Sequence, residues 1–182
     1  YRYLSNFYPA ECVYEGIKYP SSEHAYQAAK TVDLKMRAKI ASCLFAGQAK
    51  ILGRSVVLRP DWQRLRLIVM LAILRSKFNP TTALAKQLMA TGYSRLIEGN
   101  FWNDTFWGMC RGPSRDRQGK LRIHGRNNLG KLLMRVRSEL RLYRDGGMKC
   151  PWWSSENLAL NSHGKKNHRA NRHLRIVLVR SH

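Results

Sequence analysis

The chain has 182 residues, of which 44% are hydrophobic and 10% aromatic, enough to bury a core and too apolar for a disordered tail. Its longest uncharged apolar run, residues 67–74, is far shorter than the ~18 residues that span a bilayer, which excludes a membrane-spanning helix. Thirty-three Lys and Arg against eleven Asp and Glu give a net charge of +22. Such a balance is typical of proteins that bind phosphates, in nucleic acids or in nucleotides.

The cysteines and the chain start give further expectations. Cys12, Cys43, Cys110 and Cys150 are scattered and form no Cys-x-x-Cys pair, which favours a reducing, cytoplasmic location over a disulfide framework or a zinc site. We expect no metal and no cofactor. The sequence begins at Tyr1 without an initiator Met or a leader, so we expect that its true start is missing.

The first half of the chain predicts a hairpin followed by helices. Glu15-Gly16 forms a two-residue turn between strands at 12–14 and 17–19, because Gly accepts a positive φ. Ser21 can cap a helix that continues to about Lys30. Further helices are predicted at 33–43, 45–53 and 61–78, the last apolar nearly all round and therefore expected in the core.

The second half is less regular. It predicts a helix at 80–91, a short strand at 95–98, a Gly-, Pro- and Arg-rich loop at 111–126 and a helix at 128–144. We divide the chain into a domain at 1–145 and a poorly patterned basic extension at 146–182, in which only 173–179 resembles a strand. Deleting the extension is expected to spare cleavage of a small nucleotide and to weaken binding to nucleic acid.

One polar row stands out on the helix that follows Ser21. At about 100° per residue, Glu23, Gln27 and Lys30 lie along one face. Such a row can be a solvated surface. It can also be functional, with Glu23 as an acid/base or water-orienting carboxylate and Lys30 as a phosphate contact or an amine nucleophile.

Two other segments allow both a structural and a functional interpretation. The aromatics of 99–108, interleaved with Asn103 and Asp104, are either core anchors or a platform for a base and its ribose. The basic glycine-rich segment 125–131 is either an anion site or an ordinary helix start. His24 is more simply a packed or capping histidine than a metal ligand, and Cys110 a buried thiol than a nucleophile.

Four blocks, taken in order, resemble the NADAR (YbiA-like) family: LSNFYP at 4–9, YPSSEHAYQAAK at 19–30, NDTFWG at 103–108 and GRNNLGKLLM at 125–134. The resemblance covers about residues 1–144. It implies a compact, mostly helical α+β domain with a small β-hairpin or sheet. It also implies cleavage of N-glycosidic bonds, in ribosylamino-pyrimidine phosphates of riboflavin synthesis or in ADP-ribosylated guanine bases.

The resemblance also implies site residues. The family's motif residues fall here on Asn6, Glu23, Lys30, Trp107 and Asn127. We expect Glu23, Lys30 and Asp104 to be catalytic; many relatives carry an acidic residue after the Trp-Gly pair, where this chain has Met109, which leaves Asp104 as the second carboxylate. The expected substrate-binding residues are Asn6, Phe7, Tyr26, Gln27, Trp107, Gly108, Arg126, Asn127 and Lys131.

Three functions remain open at this point: an N-glycosidase, an ADP-ribose reader without turnover, and a nucleic-acid-binding protein. The polar row of Glu23, Gln27 and Lys30 favours the enzyme over the reader. The basic charge is compatible with the enzyme, since it would help to bind a substrate attached to DNA or RNA. The expected partner is a phosphorylated ribosyl or ADP-ribosyl substrate, with nucleic acid as a further partner of the basic surface.

Overall fold

Helices predominate in the structure, a computed structural model that describes residues 1–115, 117–119, 121–146 and 176–180. After a short 3-10 helix at Arg2–Leu4, the helices are Ser22–Ala28 (α1), Leu34–Ala41 (α2), Ala46–Ser55 (α3), Trp62–Lys77 (α4), Ala83–Ala90 (α5) and Asn128–Arg144 (α6). The strands are Cys12–Tyr14 (β1), Ile17–Tyr19 (β2), Arg95–Asn100 (β3), Met109–Arg115 (β4), Leu121–His124 (β5) and Ile176–Arg180 (β6). The predicted α+β, mostly helical fold class is confirmed.

Local signals place the first elements. Glu15 and Gly16 both have positive φ, 47° and 77°, and connect β1 to β2 as the predicted hairpin. Ser21 caps α1 by accepting a hydrogen bond from the backbone N–H of His24, and Asp33 caps α2 in the same way. All predicted helices are confirmed, with ends that differ by a few residues.

The predicted loop at 111–126 is wrong. β4 and β5 pair there as antiparallel strands of a four-stranded sheet in the order β5-β4-β3-β6. The register of the pair shifts between Arg111 and Arg115, the stretch that contains Gly112 and Pro113. A bulge accommodates such residues within a strand, so their presence did not exclude one.

The core lies between α4, α6 and β3. Ile73, Leu74, Leu96 and Leu133 are fully buried there. The expectation that α4 lies in the core is confirmed for its second half, whereas in its first half Leu67 and neighbouring Ile68 are 38% and 53% exposed. Among the described residues, none of the helices combines the length and the apolar character that a bilayer span needs.

A strand from the predicted extension lies in the sheet. β6 pairs in parallel with β3, from Arg95 opposite Ile176 to Gly99 opposite Arg180. Val177 and Val179 are buried. The strand-like pattern at 173–179 is thus confirmed for 176–179, whereas Cys150 and the other residues of 147–175 lie outside the described residues, and the boundary at 145 stays a prediction.

Candidate active site

A pocket of about 230 Å³ opens where α1 meets α3, α4, β3 and the loop after β3. Polar and charged side chains share its lining with aromatic rings. The lining residues are Asn6, Phe7, Glu23, Tyr26, Gln27, Lys30, Lys50, Trp62, Met70, Glu98, Trp102, Asp104, Trp107 and Leu129. Eight of the twelve residues expected in the site therefore meet in one cavity.

Glu23 lies in the first turn of α1 and is 6% exposed. Its Oε1 accepts a hydrogen bond from Nε2 of Gln27, one helical turn later, at 2.7 Å. Burial raises the pKa of Glu23, and the Gln27 hydrogen bond with the charges of Lys50 and Lys30 only partly offsets this. The polar row is therefore not a solvated surface. A buried carboxyl that keeps its proton to a higher pH than an ordinary glutamate faces the pocket.

Lys30 brings an amine to the same pocket. Its Nζ donates a hydrogen bond to the backbone carbonyl of Gly53 at 3.1 Å. Burial lowers the pKa of Lys30; the Glu23 carboxyl opposes this effect, and the charges of Arg54 and Lys50 add to it. At a given pH, a larger fraction of Lys30 is consequently neutral than of an ordinary exposed lysine, and the neutral amine is the nucleophilic form.

Gly53 on α3 leaves room for both groups. A Cβ at this position would lie 2.0 Å from Oε1 and 2.7 Å from Cβ of Gln27. The close contact between α1 and α3 is therefore possible only because glycine has no side chain. Gln27 in turn holds the Glu23 carboxyl, and the Gly53 carbonyl holds Lys30. Gly53, which was not expected in the site, thus positions the Glu23 carboxyl through Gln27 and the Lys30 amine directly.

This contact leads to a prediction with a built-in control. Gly53→Ala is expected to lower turnover by about tenfold to a hundredfold, because shifts of about an ångström at reacting groups have effects of this size. Gly47→Ala makes the same change in the first turn of the same helix, with nothing within 4 Å of the new Cβ; it should keep turnover and change stability by no more than about 0.5 kcal/mol. Steady-state kinetics and thermal melts of both variants test this, and equal turnover in the two would contradict it.

Aromatic rings form one wall of the pocket. The Tyr26 ring contacts Trp62, with centroids 5.1 Å apart, and meets Trp107 edge-on at 5.3 Å. Trp107 also packs against the core, so this residue both anchors the core and lines the pocket. Elsewhere in the lining, Lys50 Nζ lies 5.2 Å from the Phe7 ring and 5.8 Å from that of Trp102. Flat apolar rings beside buried polar groups suit a base and its ribose.

Asp104 lines the pocket and also shapes the loop. Its Oδ1 accepts hydrogen bonds from the backbone N–H groups of Phe106 at 3.0 Å and Trp107 at 2.8 Å. The Asn100 side chain fixes Asp104 further, accepting from its backbone N–H and donating to its carbonyl. The carboxylate thereby orients Trp107, and it places a negative charge in the cavity.

Four expected substrate-binding residues do not line the pocket. Asn127 is buried behind β3, where its side chain accepts from the Glu98 N–H and donates to the Leu96 carbonyl, both at 2.9 Å. Gly108 packs against β3, since a Cβ there would lie 2.6 Å from the Glu98 carbonyl. Arg126 and Lys131 are exposed outside the cavity. Asn127 and Gly108 therefore support the strand that carries Glu98, and substrate binding by these four residues stays a prediction.

Lys50, Glu98 and Trp102 line the pocket and were not expected there. Trp102 lies within the aromatic segment already singled out. Glu98 had a weak signal, a carboxylate directly after the apolar pair Leu96-Ile97 in a predicted strand. Lys50 had none, because it is one of many lysines on helices and only the packing of α3 on α1 brings it to the site.

Comparison with known proteins shows the family of this chain. Residues 1–141 match the sequence profile of the NADAR domain. The chain belongs to the NADAR domain family. Its relatives include N-glycosidase YbiA of Escherichia coli, 35% identical over 139 residues that make up 75% of this chain and 80% of the relative. An N-glycosidase of Nostoc punctiforme is 33% identical over 146 residues, 78% of this chain and 86% of the relative.

Two further comparisons extend the NADAR assignment. A riboflavin biosynthesis protein of Vibrio vulnificus is 42% identical over 140 residues; the match covers 76% of this chain and only 35% of that relative. The solution NMR structure of Escherichia coli YbiA superimposes with a TM-score of 0.64 and 32% identity, covering 82% of this chain and 83% of YbiA. The expected family is confirmed, and with it, at the level of the family, the expectation of a hydrolase that acts on N-glycosyl bonds.

Proposed function

We propose that this NADAR protein hydrolyses the C1'–N bond of a phosphorylated ribosylamine, in a ribosylamino-pyrimidine phosphate or in an ADP-ribosylated guanine base. The observation that supports this most is the pairing of Glu23, a buried carboxyl with a raised pKa, and Lys30, a buried amine with a lowered pKa, in one pocket with an aromatic wall. Titratable groups whose pKa values are shifted in opposite directions within one cleft are typical of acid/base sites.

The chemistry assigns a role to each group. As the C1'–N bond breaks, its electron pair stays on the nitrogen and the ribose gains oxocarbenium character. Protonated Glu23 donates its proton to the leaving nitrogen, and water adds to C1' and loses a proton to the Glu23 carboxylate. Asp104 supplies negative charge opposite the ribosyl cation, and the rings of Tyr26 and Trp107 hold the base.

Lys30 offers a second route that uses the same bond cleavage. When the sugar ring of the ribosylamine opens, C1' becomes an imine of the base nitrogen. The neutral Lys30 amine adds to C1' and the C1'–N bond to the base breaks, so that the base leaves as its amine and C1' is held as a Schiff base on Lys30. Water then hydrolyses this Schiff base, which releases the sugar and restores the amine. If Lys30 acts in this way, borohydride added during turnover should trap a covalent adduct that requires the Lys30 amine, so that Lys30→Arg forms none. Intact-mass measurement and peptide mapping check this. A failed trap together with an active Lys30→Arg protein would restrict Lys30 to binding.

Incubation with two substrates tests the proposed function. An ADP-ribosylated guanine oligonucleotide and a ribosylamino-pyrimidine phosphate are each mixed with the protein, and released base is measured by mass spectrometry. Release from either one, abolished by Glu23→Gln, supports the proposal and names the substrate. Tight binding of ADP-ribose without release from either would instead make the protein a reader.

A further inference from the structure

Arg66 and Arg126 hold the same aromatic ring beside the pocket. The Arg66 Cζ lies 3.5 Å from the centroid of the Phe106 ring, and the Arg126 Cζ lies 5.8 Å from it. Arg66 was not among the residues expected in the site. Arg126 was expected to bind substrate, and it lies outside the cavity lining.

Helix geometry turns Arg66 toward the pocket. It lies on α4 four residues after Trp62 and four before Met70, both of which line the cavity. Residues four apart share one helix face, so Arg66 lies on the face of α4 that carries both lining residues. Burial raises the pKa of Tyr26, and the positive charge of Arg66 is the first influence to oppose it. The guanidinium is thus close enough to act on a ring of the pocket wall.

Arg66, 3.5 Å from the Phe106 centroid, keeps the hydrogen-bonding edge of its guanidinium available, and Arg126 is exposed. A guanidinium stacked on a ring uses its face, and its N–H donors point outward in the plane. Among the described residues, neither Arg66 nor Arg126 forms an ion pair. Asp104, the carboxylate nearest in sequence to Phe106, accepts backbone N–H groups instead.

The backbone also fixes the second arginine. The Arg126 N–H donates to the carbonyl of Thr105 at 2.8 Å, which holds the segment before α6 against the residue preceding Phe106. The Phe106 ring meets Trp107 at 5.0 Å, and Trp107 meets Tyr26 at 5.3 Å. A continuous set of ring contacts therefore joins the arginine pair to the pocket.

We propose that Arg66 and Arg126, assembled on Phe106, form an anion subsite for the phosphoryl group of the substrate. Two guanidinium groups without carboxylate partners match the charge of a phosphoryl dianion, and their planar donors suit its oxygens. The proposal rests on the proposed function for the nature of the substrate. It adds the place where the phosphate binds, whether as the monophosphate of a ribosyl phosphate or as the diphosphate of ADP-ribose.

Binding measurements without turnover test the subsite. Ribose 5-phosphate, ADP-ribose and ribose are titrated calorimetrically into the wild type, Arg66→Gln, Arg126→Gln and Arg64→Gln. Arg64 lies on the same helix and is exposed, so its variant matches the change in net charge. We expect Arg66→Gln to raise the Kd of at least one phosphorylated ligand by about tenfold or more, the usual effect of losing hydrogen bonds to a charged group.

The outcomes separate this proposal from the proposed function. If Arg66→Gln weakens the binding of both phosphorylated ligands, the result supports a subsite for any phosphoryl group. If it weakens the binding of ADP-ribose alone, the result supports a subsite for the diphosphate. An equal loss of affinity in Arg64→Gln and Arg66→Gln would overturn the subsite. The subsite would also be overturned if the wild type bound both phosphorylated ligands no more tightly than it binds ribose. If Arg66→Gln does not fold, Arg126→Gln takes its place, because Arg126 is exposed. Its Kd for the phosphorylated ligands is then compared with that of Arg64→Gln. Absence of base release leaves these binding results unchanged and counts against the proposed function only.

Discussion

Replacing Glu23 with Gln is expected to lower turnover by about a hundredfold or more, the usual effect of removing a general acid or base. Gln keeps the size of the side chain and can still pair with the Gln27 amide, which now contacts Glu23 at 2.7 Å, but it cannot give up a proton. Glu11→Gln is the matched control, since Glu11 is exposed and pairs only with exposed Lys18 among the described residues. Single-turnover rates of base release compare the two variants.

The same substitution has an opposite effect on stability. The pKa of Glu23 is raised by burial, so the folded protein holds a proton that the unfolded chain has already lost above its ordinary pKa. Stability therefore falls as the pH rises from that ordinary value through the raised one. Gln is neutral at every pH and removes this loss, so Glu23→Gln should melt at or above the wild-type temperature at neutral pH.

These two results together distinguish a catalytic acid from a structural one. A residue that only supported the fold would lower turnover and melting temperature together. Turnover that falls with rising pH in the wild type, through the raised pKa, would add a second signature of Glu23 as the acid. Near-normal turnover in folded Glu23→Gln would disprove the assignment.

Sequence alone predicted α1 and its polar face because the signals are local. A cap at Ser21 sets where the helix begins, and the spacing of Glu23, Gln27 and Lys30 then fixes their common direction. The burial of that face was not decided by the spacing. It results from α3 packing on α1, and the close contact at Gly53 is visible only once both helices are in place.

Residues of the second half of the chain were harder to assign. Asn127 falls on a family motif, yet its amide bonds the backbone of β3; a motif does not separate residues that contact the ligand from those that support the site. Gly112 and Pro113 concealed β4, because composition reports turn preference and the pairing of strands is not local. Arg66 gave no signal on a helix whose sequence indicated only core packing.

The strand β6 changes what we expect of the C-terminal segment. Its pairing with β3 covers one edge of the strand that carries Glu98, and it buries Val177 and Val179. Each buried valine contributes about 1.5–3 kcal/mol, a large part of a net stability that is typically about 5–15 kcal/mol. Deleting residues 146–182 should therefore destabilise the domain by several kcal/mol and lower cleavage of a small nucleotide, rather than spare it.

A point substitution isolates the strand from the basic residues around it. Val179→Asp places a carboxylate at a fully buried position and should lower the free energy of unfolding by roughly 3 kcal/mol or more, through lost apolar burial and an unpaired buried charge. Val57→Asp makes the same change at a valine that is 86% exposed, where an effect within about 0.5 kcal/mol is expected. Urea denaturation of both variants measures the difference. If Val179→Asp and the deleted chain both unfold at the wild-type midpoint and cleave normally, β6 contributes nothing to the domain, and the boundary at residue 145 is then supported.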